Sequence, residues 1–179
     1  VNPPIRTADD VQALVDAIYY NGDGALDVLP MPLSSWAYDE SQTSMVPSYD
    51  VEAAKALLKE AGYENGLKLT LTVGTADSYV RAATLINAML SQIGIEVQVD
   101  SLASTEISER YLNNTVQLWI SGQGGSADPA SLIGKFLSSG QIHTNYNAFC
   151  YSDPATDELI AKANGSQDQE QRKEYYHEL

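Results

Sequence analysis

Leu67-Lys68-Leu69-Thr70-Leu71-Thr72-Val73 is answered further along the chain by Ile95-Glu96-Val97-Gln98-Val99, and Val80, Ala83, Ile86, Met89, Leu90 and Ile93 recur between them. In both runs apolar side chains alternate with polar ones, the period of two that puts successive residues on opposite faces of a half-buried strand. The intervening apolar residues have helical spacing, so a helix is predicted to start at Asp77 or Ser78 and to be closed by Gly94. Strand, helix and strand with short joins imply a right-handed crossover and parallel pairing. The fold class that follows is α/β, a mixed sheet flanked by helices.

Working outward, Thr7 is placed to cap a helix carrying Val11, Leu14, Val15 and Ile18 and ending near Asn21-Gly22. From Asp23 to Ser48 the chain holds Pro30, Pro32 and Pro47 with little periodicity and includes Ser34-Ser35-Trp36-Ala37-Tyr38, which reads as a long ordered loop. Asp50 then caps a helix to Ala61, with Ala54, Leu57, Leu58 and Ala61 on one side and Gly62 at the position just past its end. After the second strand a short helix is expected around Thr105 to Leu112. Val116, Leu118 and Ile120 alternate as a third strand. Asp128-Pro129 and Asp153-Pro154 each pair a capping residue with a proline at the first helical position, so helices are expected to begin at both. The polar stretch from Ser138 to Cys150 reads as an exposed connection, and Gly165-Ser166 breaks the chain before a charged final helix from Gln167. The start at Val1 and the stop inside a helical pattern at Leu179 read as the ends of a piece of a longer protein.

The chain has 179 residues with 10 basic and 24 acidic side chains, a formal net charge of −14. A polyanion-binding surface needs clustered Lys and Arg, so nucleic acid is excluded as a partner. Mean hydropathy is −0.23 and 44% of residues are hydrophobic, enough for a core, and no apolar run approaches the ~20 residues that span a bilayer. The one cysteine, Cys150, admits no intrachain disulfide and reads as a small buried hydrophobe. His143 and His177 lie far apart and at no metal-ligand spacing with each other or with Cys150, so no metal and no cofactor is expected. Eleven Tyr against two Phe favour a wet recognition surface, since tyrosine joins apolar area to a polar tip.

The site candidate is Ser121-Gly122-Gln123-Gly124-Gly125-Ser126-Ala127-Asp128-Pro129, which runs from a strand to a helix start, where glycines let a ligand approach the backbone. It matches neither the phosphate loop nor the dinucleotide fingerprint, and a turn that needs glycine for its geometry is the competing reading. Ser126, Asp128 and the distant His143 could be assembled into a hydrolytic triad, but no Gly-x-Ser-x-Gly elbow surrounds the serine. Trp36 and Tyr38 could stack on a ligand or plug the gap between the long loop and the body of the domain.

Four segments in order resemble the family 5 extracellular solute-binding proteins, the peptide and nickel receptors of ABC importers. They are Tyr49 to Tyr63 with its Ala-Leu-Leu-Lys-Glu-Ala-Gly core, Ile93-Gly94-Ile95-Glu96-Val97-Gln98-Val99, the glycine loop before Asp128-Pro129, and Tyr151-Ser152-Asp153-Pro154 with Asp157-Glu158-Leu159-Ile160. The Pro-rich segment ending in Ser-Trp-Ala-Tyr is similar to the same family. The resemblance implies that residues 1–179 form the C-terminal lobe of a type II clamshell of the periplasmic-binding-protein kind, with the N-terminal lobe outside the chain. Ligand would be captured between lobes by hinge closure and passed to ABC permease subunits. Catalysis is not implied. Gly122, Gln123, Gly124, Gly125, Ser126 and Asp128 would line the cleft, with Trp36 and Tyr38 near it. The parent would work on the extracellular face of the membrane or in the periplasm, held to the membrane only by a lipid anchor outside this chain.

Two departures bear on the ligand. Gln123 stands where the family usually has Trp, and Ser126 stands where peptide-binding members place an aspartate for the ligand's amino terminus. The loop is one residue shorter, so Asp128 is either shifted toward that role or a helix cap. An oligopeptide is the default ligand; a sugar, a nickel chelate or a sensory role without import are the alternatives.

Overall fold

A computed structural model describes residues 10–19, 31–45, 48–122, 124–144 and 146–179. Thr7, Asn21, Gly22, Pro30, Pro47, Gln123 and Asn145 lie outside them. The chain divides into two compact units. One holds helix α1 (Val11–Ile18), residues from Met45 to Ile107, and Val116–Ser121; the other holds residues 31–44, Ser108–Thr115 and Gly122–Leu179.

The first unit is built on the strand, helix and strand read from the sequence. Strand β1 (Leu67–Gly74) pairs in parallel with β2 (Ile95–Leu102) from Leu67 opposite Ile95 to Gly74 opposite Leu102. Helices α2 (Val51–Glu60) and α3 (Asp77–Ser91) flank the chain of β1, and α3 packs on both strands and on α1. The sheet order is β2-β1-β3, with β3 reduced to Leu118–Trp119. The α/β class holds, while the sheet expected to be mixed is parallel in both of its described pairings. Because β1 is central, Leu71, Thr72 and Val73 are all buried, the continuous burial of a parallel strand covered on both faces. The third strand is shorter than Val116, Leu118 and Ile120 suggested because a side chain takes over part of the ladder. The Thr70 N–H donates to Gln117 Oε1 at 2.7 Å, and regular pairing is confined to Leu71–Leu118 and Thr72–Trp119.

Leu90 and Ala83 of α3, Leu58 and Ala54 of α2, Leu71 and Val73 of β1, and Ile95 and Val97 of β2 close one aliphatic core with Ile93. Asp50 caps α2 by accepting from the Ala53 N–H at 2.9 Å. Gly62, at φ +83°, ends it: the Tyr63 N–H reaches Leu58 O at 2.8 Å and the Gly62 N–H reaches Lys59 O at 3.0 Å. That reciprocal pair needs a left-handed residue between its donors, which glycine adopts without a Cβ penalty. At α1 the cap is Asp10, rather than the Thr7 expected from the sequence; its carboxylate accepts from the Ala13 N–H at 3.0 Å, and Tyr19 follows the last helical residue.

The second unit contains most of helix α4 (Ser104–Leu112) and of a 3-10 helix at Glu40–Met45, a 3-10 turn at Pro129–Ser131, the one-turn α5 (Ile133–Phe136), another 3-10 turn at Ser139–Gln141, and the paired helices α6 (Pro154–Gly165) and α7 (Gln169–Glu178). Asp153 caps α6 as expected, accepting from the Ala155 and Thr156 N–H groups at 3.3 Å each. The core here is Met31, Ala37, Ile133, Ala163 and Tyr176, with Trp36 and Tyr38 packed against it. Two expectations are corrected. Cys150 is exposed, at φ +54°, just past a turn at residues 148–149. The stretch from Ser138 to Cys150 is organised from within by Asn147, which is fully buried: its Nδ2 donates to Ser138 O at 2.9 Å and Tyr151 O at 2.7 Å, and its Oδ1 accepts from the Tyr151 N–H at 3.0 Å. A buried amide with its capacity met in this way holds the segment together alongside the edge-on packing of Tyr146 on Phe136.

Candidate functional site

The candidate loop leaves β3 through Ile120, whose N–H donates to Thr72 O at 3.1 Å, and residues 121, 122 and 124–127 are exposed. Two of its glycines, Gly124 and Gly125, differ. A Cβ on Gly124 would meet nothing within 4 Å, whereas one on Gly125 would lie 2.8 Å from Pro32 Cγ and 2.9 Å from Leu132 Cδ1. Gly125 is therefore required by close packing inside the unit, and Gly124 leaves open space beside the backbone. Ser126 folds the loop on itself: its Oγ accepts from the Asp128 N–H at 3.3 Å, and its own N–H donates to Ser131 Oγ at 3.2 Å.

Asp128 ends the loop as the cap of the Pro129–Ser131 turn, accepting from the Ala130 N–H at 3.0 Å. The Asp-Pro pair thus starts a 3-10 turn, with the α-helical turn of α5 following only after Leu132. The carboxylate is also gripped by Arg172 of α7, whose Nη1 lies 2.9 Å from Oδ2 and Nη2 2.8 Å from Oδ1. That bidentate fork is the main reason the Asp128 carboxyl is held below its ordinary range and the guanidinium above its own.

The long loop supplies the adjoining wall. Ser35 Oγ donates to Ala127 O at 3.0 Å and the Trp36 N–H reaches the same oxygen at 3.4 Å, so a 31–42 strap is stitched to the glycine loop through one carbonyl. The Trp36 ring stands edge-on to Tyr176 with centroids 6.1 Å apart, and the Arg172 guanidinium lies 5.1 Å from its centre. Both Trp36 and Tyr38 are half-buried against the local core, so the plug reading describes their apolar area. Tyr176 is 2% exposed, and burial is the main cause pushing its hydroxyl above the usual phenol range. His177 finishes the seam: its Nε2 lies 2.9 Å from Ala37 O, and Gln42 Nε2 donates to its backbone oxygen at 3.0 Å.

The structure thus joins Trp36, Tyr38, Gly124, Gly125, Ser126 and Asp128 in one unit. The hydrolytic trio has other partners. The serine hydroxyl is engaged with the Asp128 backbone, Asp128 with Arg172, and His143 with Asn114, Nδ1 to Nδ2 at 3.0 Å. Among the described residues no cluster of His, Cys, Asp and Glu could hold a metal ion, and no helix is long and apolar enough to cross a membrane. Arg172 and Tyr176 were not legible as site residues. Their spacing of four puts them on one helix face, yet nothing local announces a partner 44 residues away.

Residues 5–144 match the family model described as bacterial extracellular solute-binding proteins, family 5, middle region. The chain belongs to that family. It is 32% identical, over 99% of its length, to the probable ABC transporter periplasmic-binding protein SapA of Escherichia coli, and 30% identical over 98% to di/tripeptide-binding protein 3 of Pseudomonas aeruginosa. It covers 34% and 33% of those proteins, so it spans about a third of the length of the curated relatives it matches. Among solved structures, the periplasmic binding protein DppA of Helicobacter pylori in complex with the peptide STSA superposes with a TM-score of 0.88 at 27% identity, over 99% of this chain and 34% of that one. These family members are binding proteins.

Proposed function

We propose that this family 5 chain is the C-terminal lobe of a two-lobed solute receptor that captures oligopeptides outside the cytoplasm and delivers them to ABC permease subunits. The observation that carries the reading is the exposure of residues 122 and 124–127 in a loop internally braced and flanked by Trp36, in a chain whose relatives include a di/tripeptide-binding protein. Backbone amides on a braced loop suit an extended peptide, because main-chain hydrogen bonding accepts many side-chain sequences. Trp36, Tyr38, Gly122, Gln123, Gly124, Gly125 and Ser126 face the ligand in this reading, and Asp128 takes part through the loop that it holds. The remaining contacts come from an N-terminal lobe that closes on the ligand, so the isolated chain binds weakly. The protein operates on the extracellular face of the membrane or in the periplasm, with any lipid anchor outside residues 1–179, and it performs no catalysis.

Native mass spectrometry of the full-length protein, purified without refolding, tests this directly. A distribution of short co-purifying peptides supports the reading. A single sugar, metal chelate or other solute replaces the peptide with that class and makes Gln123 and Ser126 the marks of a changed specificity. Turnover of chromogenic esters that disappears in Ser126→Ala would overturn the binding-only role.

A further inference from the structure

We propose that Arg172 is the positioning residue of the candidate loop, setting ligand affinity through Asp128 and Trp36 without touching the ligand. The inference rests on the binding role proposed above. One guanidinium joins three parts of the second unit. Nε donates to Ala163 O at 2.9 Å on α6, the two terminal nitrogens clasp Asp128 at 2.8 and 2.9 Å, and the cation lies 5.1 Å from the centre of the Trp36 ring. The side chain is 19% exposed while Asp128 is 43% exposed, so the arginine works from inside and the loop presents outward.

The chemistry of the pair assigns the direction of control. Asp128 Oδ1 receives both Arg172 Nη2 and the Ala130 N–H, which fixes the end of the loop and the start of the next turn with one atom. Upstream of that fixed end, Ala127 O receives Ser35 Oγ and the Trp36 N–H, so the strap follows the loop. The guanidinium neutralises the carboxylate, which would otherwise stand as a lone negative charge at the rim of the site and reshape the preference between charged and neutral ligand ends. Lysine cannot reproduce this role, because an ammonium lacks the planar fork and the extra donor toward Ala163. A loop held within tenths of an ångström binds better than one free to wander, and loss of such support costs about tenfold or more in affinity.

The test uses the full-length protein as wild type, Arg172→Lys, Arg172→Met, Asp128→Asn and the Asp128→Asn/Arg172→Met double variant. Each is checked for native circular dichroism and then titrated with trialanine by calorimetry. Hydrogen exchange of residues 122–128 is followed in parallel on peptide-free protein. Affinity is expected to fall about tenfold in Arg172→Lys and Arg172→Met, with the double variant no weaker than the worse single one, as groups acting as a unit require. Exchange of the loop amides is expected to quicken in the same variants. Unchanged affinity in a folded Arg172→Met that has lost the clasp would overturn the proposal. If wild type itself fails to bind trialanine, the peptide reading fails separately, and exchange decides Arg172: faster loop exchange in Arg172→Lys upholds the positioning role, and unchanged exchange removes it. Arg172→Lys keeps the charge and the aliphatic stem, so it serves where Arg172→Met does not fold.

Discussion

The strand-helix-strand unit and the loop-and-helix unit divide their stabilisation differently between apolar packing and directional bonds. In the first, Leu71, Val73, Ala83, Leu90, Ile93, Ile95 and Val97 close an aliphatic core with Ala54 and Leu58 of α2, so its buried members lie between residues 54 and 97. In the second, a smaller cluster of Met31, Ala37, Ile133, Ala163 and Tyr176 is supplemented by Trp36 beside a guanidinium, and the organising bonds run from Ser35 to Ala127, Arg172 to Asp128 and His177 to Ala37. A core of aliphatic side chains close in sequence assembles from local pattern. One of directional bonds between distant residues holds a precise surface and depends on each partner. The candidate loop belongs to the second kind, because its shape is held by the bonds from Ser35 and Arg172.

The largest effect is expected in the aliphatic core. Leu90→Ala is expected to cost about 3 kcal/mol, since Leu90 is fully buried and truncation there leaves a cavity. Urea unfolding with an unchanged m-value checks it. The counterpart in the polar unit is Asn147→Ala, which strands two carbonyls and an N–H and is expected to cost about 2 kcal/mol. If it proves neutral, the second unit is not held by directional bonds and the contrast fails.

Smaller effects sharpen the picture at the loop. Gly125→Ala should destabilise by about 1 kcal/mol because its Cβ must displace Pro32 or Leu132, and Gly124→Ala should leave the melting temperature where it is. Equal effects at the two glycines would mean that the loop relaxes freely. The Arg172 clasp also has a pH signature. Because the folded-state pKa of Asp128 is depressed, its contribution is present above the ordinary carboxylate pKa and is lost as pH falls through the lower folded value. Melting curves of wild type and Asp128→Asn should therefore converge on acidification and separate near neutrality. A gap that persists at the acid end would show that charge is not the source of the stabilisation. The smallest effect is expected at Lys68→Ala, which removes a 2.8 Å pair with Glu96 whose side chains are 81% and 71% exposed, and the unfolding midpoint should not move.

What the amino-acid order determined by itself is whatever depends on neighbours. Alternation over Leu67–Val73 and Ile95–Val99 specified strands, the Asp50 and Asp153 caps and Gly62 specified helix ends, and four ordered segments specified the family. These features follow from backbone geometry and from interactions within a few residues, so they are written in local spacing. Tertiary structure alone decided the length of β3, the exposure of Cys150, the burial of Asn147 and the clasp of Arg172 on Asp128. The clasp turns on a partner 44 residues away, β3 on Gln117 meeting Thr70, and Asn147 on the turn that brings Ser138 and Tyr151 to its amide. An arginine in an otherwise charged helix, or an asparagine in a polar stretch, looks the same in sequence whether it faces water or closes a fork across 44 residues, because its energy depends on the geometry of the group that it meets.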